Sequence, residues 1–194
     1  VTNAKVASTV ITGQTAETSI ATDDTILIHD TSASALRKMT RANFVSGIGG
    51  NNKPVFSVKL ASNQTMSDAT FAKASFASEQ YDADGVFDAT TNYRFTPTSS
   101  GKYFINVTAR VFDANGRLYE TVGELRKNGS TVADTQKDLR LSSGFGYSHN
   151  LRLTHIESMN GTGDYLEYFV YIDGGGSLRI DSNYSYFQGY KIIE

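Results

Sequence analysis

The sequence predicts an all-β protein whose short antiparallel strands build a sandwich, jelly roll or barrel. Residues 101–112 alternate between apolar and polar side chains with a period of two, which is typical of a strand with one buried face. Asn-Gly pairs at 115–116 and 128–129 are the turns that tight hairpins prefer. No stretch of ten residues has a convincing helical period, so we expect helices to contribute little.

The strands can be placed in order along the chain. In residues 101–112, Tyr103 shares the buried face with the other apolar positions, and Asn106 lies on the opposite face. Residues 118–126 are predicted to be the return strand after the first Asn-Gly turn. The glycines at 174–176 separate two strand-like runs and predict a flexible hairpin loop. The other predicted strands cover residues 55–61, 70–78, 92–97, 131–139, 146–158, 164–172 and 185–193.

A shorter segment before these strands predicts a hairpin followed by a short helix. Residues 25–30 are a β-rich run, and residues 35–39 form a second one after the polar stretch 31–34. Thr40 can cap a helix over residues 41–46. A lone hairpin with one turn of helix is not stable in water. We therefore expect this segment to pack on the rest of the chain or to combine with further copies.

The aromatic residues divide the chain near Pro54. Of the 22 Phe and Tyr residues, only Phe44 precedes that proline. Residues 49–54 read Gly-Gly-Asn-Asn-Lys-Pro, a composition typical of a linker. We predict an N-terminal connector at residues 1–53 and an aromatic-rich β domain at residues 54–194. Because the sequence begins with Val and not Met, we expect it to be a fragment of a longer protein.

Composition argues against several classes of protein. The 18 Lys and Arg against 20 Asp and Glu give a net charge of −2, which argues against a general nucleic-acid binder. Cys is absent, which excludes disulfides, thiol catalysis and thiolate metal sites. No apolar run approaches the roughly 18 residues needed to cross a bilayer, and no signal-type apolar region follows the N-terminus. We expect no nucleic-acid partner and no membrane insertion.

Residues 23–44 read Asp-Asp-Thr-Ile-Leu-Ile-His-Asp-Thr-Ser-Ala-Ser-Ala-Leu-Arg-Lys-Met-Thr-Arg-Ala-Asn-Phe. This string resembles a short module of bacteriophage tail fibres and other virion appendages. In such proteins a hairpin of this pattern commonly precedes a C-terminal domain. The resemblance implies a connector that attaches to an upstream fibre or tail protein. The alternative is a generic hairpin with a capped helix.

Three stretches stand out in residues 54–194: 92–105, with its Phe, Pro and Gly-Lys-Tyr, then 163–168, and the closing strand at 185–192. Through these stretches, residues 54–194 resemble the complement globular-head family, which shares the jelly roll of tumour necrosis factor. The resemblance implies an antiparallel two-sheet jelly-roll sandwich of ten strands that assembles as a homotrimer. In the family, aromatic residues of both terminal strands meet near the threefold axis. By position the candidates are Tyr103, Phe104, Tyr168, Phe187 and Tyr190, and for each the alternative is an ordinary core residue.

No combination of residues predicts catalysis, a cofactor or a metal site. Segments 82–85 and 113–116 begin like calcium loops but lack the later Gly and Glu, so we interpret them as turns. A Ca²⁺ ion at a jelly-roll apex stays open as an alternative. Glu120 and Glu124 lie on one face of a predicted strand. We expect both carboxylates to be solvated there and not to form a catalytic pair. Three histidines belong to no motif: His29, His149 and His155. We therefore expect a protein that is not an enzyme.

The leading functional hypothesis is the trimeric tip of a tail fibre, located on the virion, that binds a host-surface glycan or protein. Three weak sites on one trimer would give avidity that a single site lacks. Candidate contact loops cover residues 113–117, 142–149 and 173–186. Their candidate contact residues are Asn115, Arg117, Tyr147, His149, Tyr184 and Tyr186. Two alternatives are a trimerisation module without a receptor and a depolymerase of host polysaccharide.

Overall fold

The structure is a computed structural model that describes residues 12–16, 18–46, 52–140 and 146–192. The chain divides into two compact units, Val1–Gly50 and Asn51–Glu194. All buried apolar side chains among the described residues belong to the larger unit. The larger unit therefore holds the hydrophobic core.

The smaller unit contains the predicted hairpin and helix. Strand β1 (Thr25–Asp30) pairs antiparallel with β2 (Ala35–Thr40), with Thr25 opposite Thr40. Helix α1 (Arg41–Ser46) follows directly. No helix in the described part of the chain is long and apolar enough to cross a membrane.

Side-chain oxygens fix both ends of this hairpin. Asp30 Oδ1 accepts hydrogen bonds from the backbone N–H groups of Ser32 and Ala33 at 3.0 and 3.1 Å, which closes the turn. Thr40 Oγ1 accepts a hydrogen bond from the Asn43 N–H at 3.3 Å. Thr40 is therefore the N-cap that the sequence predicted.

The described residues of the larger unit form twelve strands. The predicted strand over 70–78 is wrong: only two short strands, β5 and β6, touch this range. The twelve strands are β3 (Val55–Lys59), β4 (Gln64–Thr65), β5 (Ala72–Lys73), β6 (Ser78–Tyr81), β7 (Phe87–Asp88), β8 (Arg94–Phe95), β9 (Gly101–Asp113), β10 (Leu118–Lys127), β11 (Ser130–Asp138), β12 (Ser148–Met159), β13 (Leu166–Gly174) and β14 (Leu178–Lys191).

These strands form two antiparallel sheets. Sheet I has the order β12-β9-β14-β3-β6, with β4 also paired to β14. Sheet II has the order β11-β10-β13-β8-β7, with β5 also paired to β13. The predicted two-sheet antiparallel sandwich is confirmed.

The core lies between the sheets and is rich in aromatic rings. Tyr103 and Ile105 of β9 are fully buried, as the alternation of residues 101–112 predicted. The Phe56 ring lies 4.4 Å from that of Phe95 and 5.1 Å from that of Phe187, measured between centroids. Such aromatic pairs contribute about 0.5–1.5 kcal/mol each beyond their burial.

The second Asn-Gly pair forms the predicted hairpin turn. Asn128 and Gly129 have φ angles of +52° and +84° and join β10 to β11, with Lys127 opposite Ser130. Positive φ at both central residues is the geometry of a type I′ turn, whose twist matches that of the strands.

The first Asn-Gly pair does not form a hairpin, which corrects the prediction. Strand β9 belongs to sheet I and β10 to sheet II, so the turn carries the chain from one sheet to the other. The Asp113 carboxylate is fully buried and accepts hydrogen bonds from the N–H groups of Asn115 at 2.9 Å and Arg117 at 3.1 Å. These bonds hold the turn in a conformation that directs the following strand, β10, away from β9 and into sheet II.

The three glycines at 174–176 also connect the sheets, and the predicted hairpin loop is wrong here too. Gly174 ends β13 of sheet II, and Gly175 and Gly176 lead from it to β14 of sheet I. Gly174 N–H donates to Asp68 Oδ1 at 3.0 Å, and Gly175 N–H donates to Asp113 Oδ2 at 3.1 Å. The segment is therefore anchored by two carboxylates.

Strand β14 begins at Leu178, so most of the predicted loop 173–186 is strand. Its pairing with β9 is interrupted by a bulge between Asp181 and Tyr186. Ser185 Oγ fills the gap, since it donates to the Asp181 carbonyl at 2.6 Å and accepts from the Arg110 N–H at 3.0 Å. These side-chain bonds let a polar segment stay in the sheet.

Candidate functional site

The outward face of sheet I carries a row of apolar side chains across four strands. Phe104 lies opposite Ile156 on one side and Tyr190 on the other, and Tyr190 lies opposite Val55. The rings of Phe104 and Tyr190 stack with centroids 5.2 Å apart. Ile156 is 54% exposed and Tyr190 37% exposed. We call these four residues the apolar row; a contiguous exposed apolar patch is typical of an interaction surface.

A groove and a set of polar side chains on the same strands border the apolar row. The groove has a volume of about 240 Å³ and lies among β3, β9 and β14, with Phe104 and Tyr190 in its wall. One step further along the strands, Gln188 lies opposite Asn106 and Ser57. An apolar centre beside polar side chains is the usual anatomy of a protein interface.

The other three candidates for a subunit interface lie in the core. Tyr103, Tyr168 and Phe187 are 0% exposed in the single chain, so their side chains have no surface to offer a second copy. Burial raises the pKa of Tyr168 well above its usual range. These three residues are therefore ordinary core residues, which was the alternative to an interface role for each of them. They face inward because each is an even number of residues from its buried neighbours on the same strand.

Ile156 and Val55 belong to the apolar row and were not among the predicted site residues. The sequence carries a signal for Ile156, because its outward-facing neighbours along β12 are polar. Ile156 is thus the exception on an otherwise polar face. These neighbours are Ser148, Asn150, Arg152 and Thr154.

Three of the candidate contact residues meet at one end of the sandwich, which we call the apex. Asn115 Nδ2 donates to the Gly175 carbonyl at 3.2 Å, and the Gly175 N–H donates to the Arg117 carbonyl at 3.1 Å. Tyr147 is 61% exposed, and its ring covers Gly116 so closely that an added Cβ there would lie 3.0 Å from it. The apex therefore presents an aromatic ring, an amide and a guanidinium group.

The other three candidate contact residues lie within sheet I. Tyr184 is 54% exposed, and the Arg110 guanidinium lies 4.5 Å from its ring centroid. Tyr186 pairs with Lys59 across β3. His149 is half-buried in β12, and burial lowers its pKa below the usual value, with the Lys137 charge adding to the effect. Residues 142–145 of the predicted loop 142–149 lie outside the described residues.

The acidic side chains that the sequence singled out are paired with arginines. Glu120 Oε2 lies 2.5 Å from the Arg140 guanidinium, and Glu124 Oε2 lies 2.5 Å from that of Arg126. Both carboxylates belong to β10 of sheet II, and Thr131 Oγ1 also donates to Glu124 at 3.2 Å. Each carboxylate thus has a cation beside it, and Arg140 is shared with Asp138 and Asp173.

The calcium-like segment at 82–85 is a turn. Asp82 accepts hydrogen bonds from the N–H groups of Val86 at 3.0 Å and Phe87 at 2.8 Å. Across residues 12–16, 18–46, 52–140 and 146–192, no group of three or more His, Asp or Glu side chains is arranged as a metal site. The Asp82 carboxylate therefore forms its hydrogen bonds with the backbone of its own turn.

Comparison with known proteins identifies the fold. No protein-family profile and no curated protein matches the sequence. Murine APRIL at pH 5.0 matches with a TM-score of 0.53 and 8% identity, over 71% of this chain and 98% of that chain. Eiger TNF from S. frugiperda matches with a TM-score of 0.53 and 11% identity, over 71% of this chain and 90% of that chain. The larger unit has the tumour-necrosis-factor fold.

A complement protein extends this comparison. The globular domain of zebrafish complement 1qA matches with a TM-score of 0.50 and 20% identity, over 72% of this chain and 97% of that chain. The tumour-necrosis-factor and complement jelly roll that the sequence predicted is confirmed as the fold. These structures do not bear on the resemblance of residues 23–44 to virion appendages, which stays a prediction.

Proposed function

We propose that this chain is a non-enzymatic structural protein of a bacterial virus. It forms the trimeric tip of a tail fibre or similar appendage and binds a receptor on the host surface, with a glycan as the favoured ligand. The observation that carries the proposal is the apolar row, where Ile156 and Tyr190 stay exposed on a tumour-necrosis-factor fold. Two further copies of this chain are the proposed occupants of that face.

The resemblance to the complement globular-head family supports this occupant. That family assembles as homotrimers, with aromatic residues of its terminal strands near the threefold axis. Tyr190 lies in the last strand, β14, and its ring stacks on that of Phe104 in the neighbouring strand β9. Covering one Ile or Phe side chain removes it from water and contributes about 1.5–3 kcal/mol.

Receptor binding is assigned to the polar and aromatic surface residues. Tyr147 with Asn115 and Arg117 at the apex, and Tyr184 on sheet I, combine exposed rings with hydrogen-bonding groups. Such a combination suits sugars, whose apolar faces stack on rings while their hydroxyls bond to amides. Three copies of a weak site would act together on a cell surface.

The smaller unit is the proposed attachment to the upstream fibre or tail protein. Its hairpin exposes Leu27 (71%) and Leu36 (68%) on one face. The other side has a groove lined by Ile26, Phe44 and Val45, and all three are also exposed. A hairpin with apolar groups on both faces needs a partner to cover them.

The first experiment measures the mass of the assembled protein. Light scattering of the full chain at micromolar concentration should give three times the 21.1 kDa chain mass. The substitution Ile156→Glu should reduce the mass to that of one chain, because an unpaired carboxylate would be buried in the interface. The matched control is Phe71→Glu, since Phe71 is 38% exposed beside sheet II and its substitution should leave the trimer intact. A wild-type monomer would contradict the proposal.

A trimerisation module without a receptor is the second candidate, and the same apolar row supports it. Adsorption assays separate the two. In a tail-fibre tip, purified trimer coats host cells and competes with the virus, and Tyr147→Ala loses this competition while keeping the trimer mass. In a trimerisation module, the purified trimer coats no cells, and the variant Ile156→Glu blocks fibre assembly.

A further inference from the structure

A small groove without charged residues lies on the larger unit and shares no lining residue with the apolar row or the apex. It has a volume of about 320 Å³, which is at the lower end of the range for small-molecule pockets, about 300–1,000 Å³. Its wall includes Ser62, Asn63 and Ser75 from the segments around β4 and β5, and Tyr93 from the turn before β8. With Gln64, the lining therefore combines one aromatic ring with three hydroxyls and two amides.

Tyr93 is held in the groove by a strained backbone. Its φ angle is +49°, a left-handed conformation that bulky residues rarely adopt and that clusters at functional sites. The preceding turn is tied to Asp88, whose carboxylate accepts hydrogen bonds from the N–H groups of Thr90, Thr91 and Asn92 at 3.0, 2.9 and 3.1 Å. These bonds hold the pKa of Asp88 well below its usual range. The hydrogen-bonded turn thus sets the backbone position of Tyr93.

The polar groups of the groove divide into two sets. Asn63 Oδ1 accepts from the Ser182 N–H at 2.9 Å, and Gln64 bonds the backbone of the segment after β5. In the described part of the chain, no hydrogen bond uses the hydroxyls of Ser62, Ser75 or Tyr93. The first set builds the groove, and the second set is available to a ligand.

None of the eight described residues that line the groove carries a charge. A charged ligand would lose its hydration here without gaining an ion pair, which is costly. Hydroxyl and amide groups can both donate to and accept from a polyhydroxylated ligand. We propose that this groove binds one neutral sugar residue of a surface glycan, stacked on the Tyr93 ring. The inference rests on the proposed role in glycan binding and adds to it a site and a ligand class.

The test is saturation-transfer NMR on the full chain with millimolar monosaccharides. The neutral panel contains glucose, galactose, mannose, rhamnose and N-acetylglucosamine, and the charged panel contains glucuronic acid and N-acetylneuraminic acid. Wild-type protein should bind at least one neutral sugar more tightly than either charged sugar. Tyr93→Asn removes the ring but tolerates the left-handed backbone, and it should weaken binding at least tenfold. Tyr93→Phe keeps the ring and should retain most of the binding.

The matched control is Tyr81→Asn, because Tyr81 is an exposed tyrosine outside the groove, the apex and the apolar row. It should bind like wild type. Absence of binding by every neutral sugar, tighter binding of a charged sugar, or unchanged binding by Tyr93→Asn would each overturn the inference.

Cell adsorption separates this inference from the proposed function. If wild-type trimer coats host cells and Tyr93→Asn coats them equally, the groove is not the glycan site while the tail-fibre function stands. If wild-type trimer coats no cells but still binds a neutral sugar through Tyr93, the attachment function fails and the groove stands as a sugar site.

Discussion

Two buried tyrosines differ in whether their hydroxyl group has a hydrogen-bond partner, and this difference affects what each contributes to stability. Tyr103 Oη donates to the Ser99 carbonyl at 2.7 Å, whereas Tyr168 Oη has no hydrogen-bond partner among the described residues. Burial raises the pKa of both, and for Tyr103 the Ser99 hydroxyl opposes the shift. An unsatisfied buried polar group costs about 1–3 kcal/mol. The two side chains therefore differ in energy although both are fully buried.

We predict opposite effects of the same substitution at these positions. Tyr168→Phe removes the unpaired hydroxyl and should leave the free energy of unfolding unchanged or raise it by up to about 1 kcal/mol. Tyr103→Phe breaks a hydrogen bond and should lower it by about 1 kcal/mol. Urea unfolding followed by circular dichroism measures both. Equal losses in the two variants would show that Tyr168 Oη does have a partner.

At the scale of elements, the β10–β11 hairpin depends on one glycine. Gly129 has a φ of +84° and open space where a Cβ would lie, so backbone conformation alone demands glycine. We predict that Gly129→Ala lowers the free energy of unfolding by about 1–2 kcal/mol. Gly163 is the matched control, because it also has open space but no positive φ. Gly163→Ala should change stability by less than about half as much in the same urea titration; equal losses would contradict the turn assignment.

The sequence predicted the local geometry of elements better than their partners. Both Asn-Gly pairs are turns, as predicted, but only the pair at 128–129 joins neighbouring strands. The outcome at 115–116 depends on Asp113, which also bonds Gly175 from a segment about 60 residues further along the chain. A bond that links distant segments leaves no pattern in either segment. For this reason sheet membership could not be predicted from the turn.

Strand β14 illustrates the same limit for the candidate site. The Gly-, Asp- and Ser-rich run at 173–186 has the composition of a loop, yet Leu178–Lys191 is a continuous strand in the sheet. It pairs with β9 because the bulge before Tyr186 and the Ser185 hydroxyl compensate for the break in register. Tyr184 was thus correctly predicted to be exposed but wrongly placed in a loop. In contrast, strict alternation in β9 was enough to place Tyr103 inward.

At the scale of the whole molecule, no disulfide stabilises the chain, since it contains no Cys. The sequence predicted Phe104 and Tyr190 as separate interface candidates, and the register of four strands shows that Ile156 and Val55 join them in one row. In a monomer, exposed apolar side chains promote aggregation. In a trimer the same side chains are buried, and their burial stabilises the folded chains. Stability and assembly are therefore coupled in the proposed trimer.

This coupling predicts a melting temperature that rises with protein concentration. If unfolding separates three chains, each tenfold increase in concentration favours the folded trimer by about 0.9 kcal/mol per chain. For a chain of this length that corresponds to about 2–4 °C in Tm. Calorimetry at 1, 10 and 100 μM should show this slope for wild type and for Phe71→Glu. Ile156→Glu should melt at a lower temperature that does not change with concentration. A concentration-independent wild-type Tm would mean that the apolar row is not covered by copies of this chain.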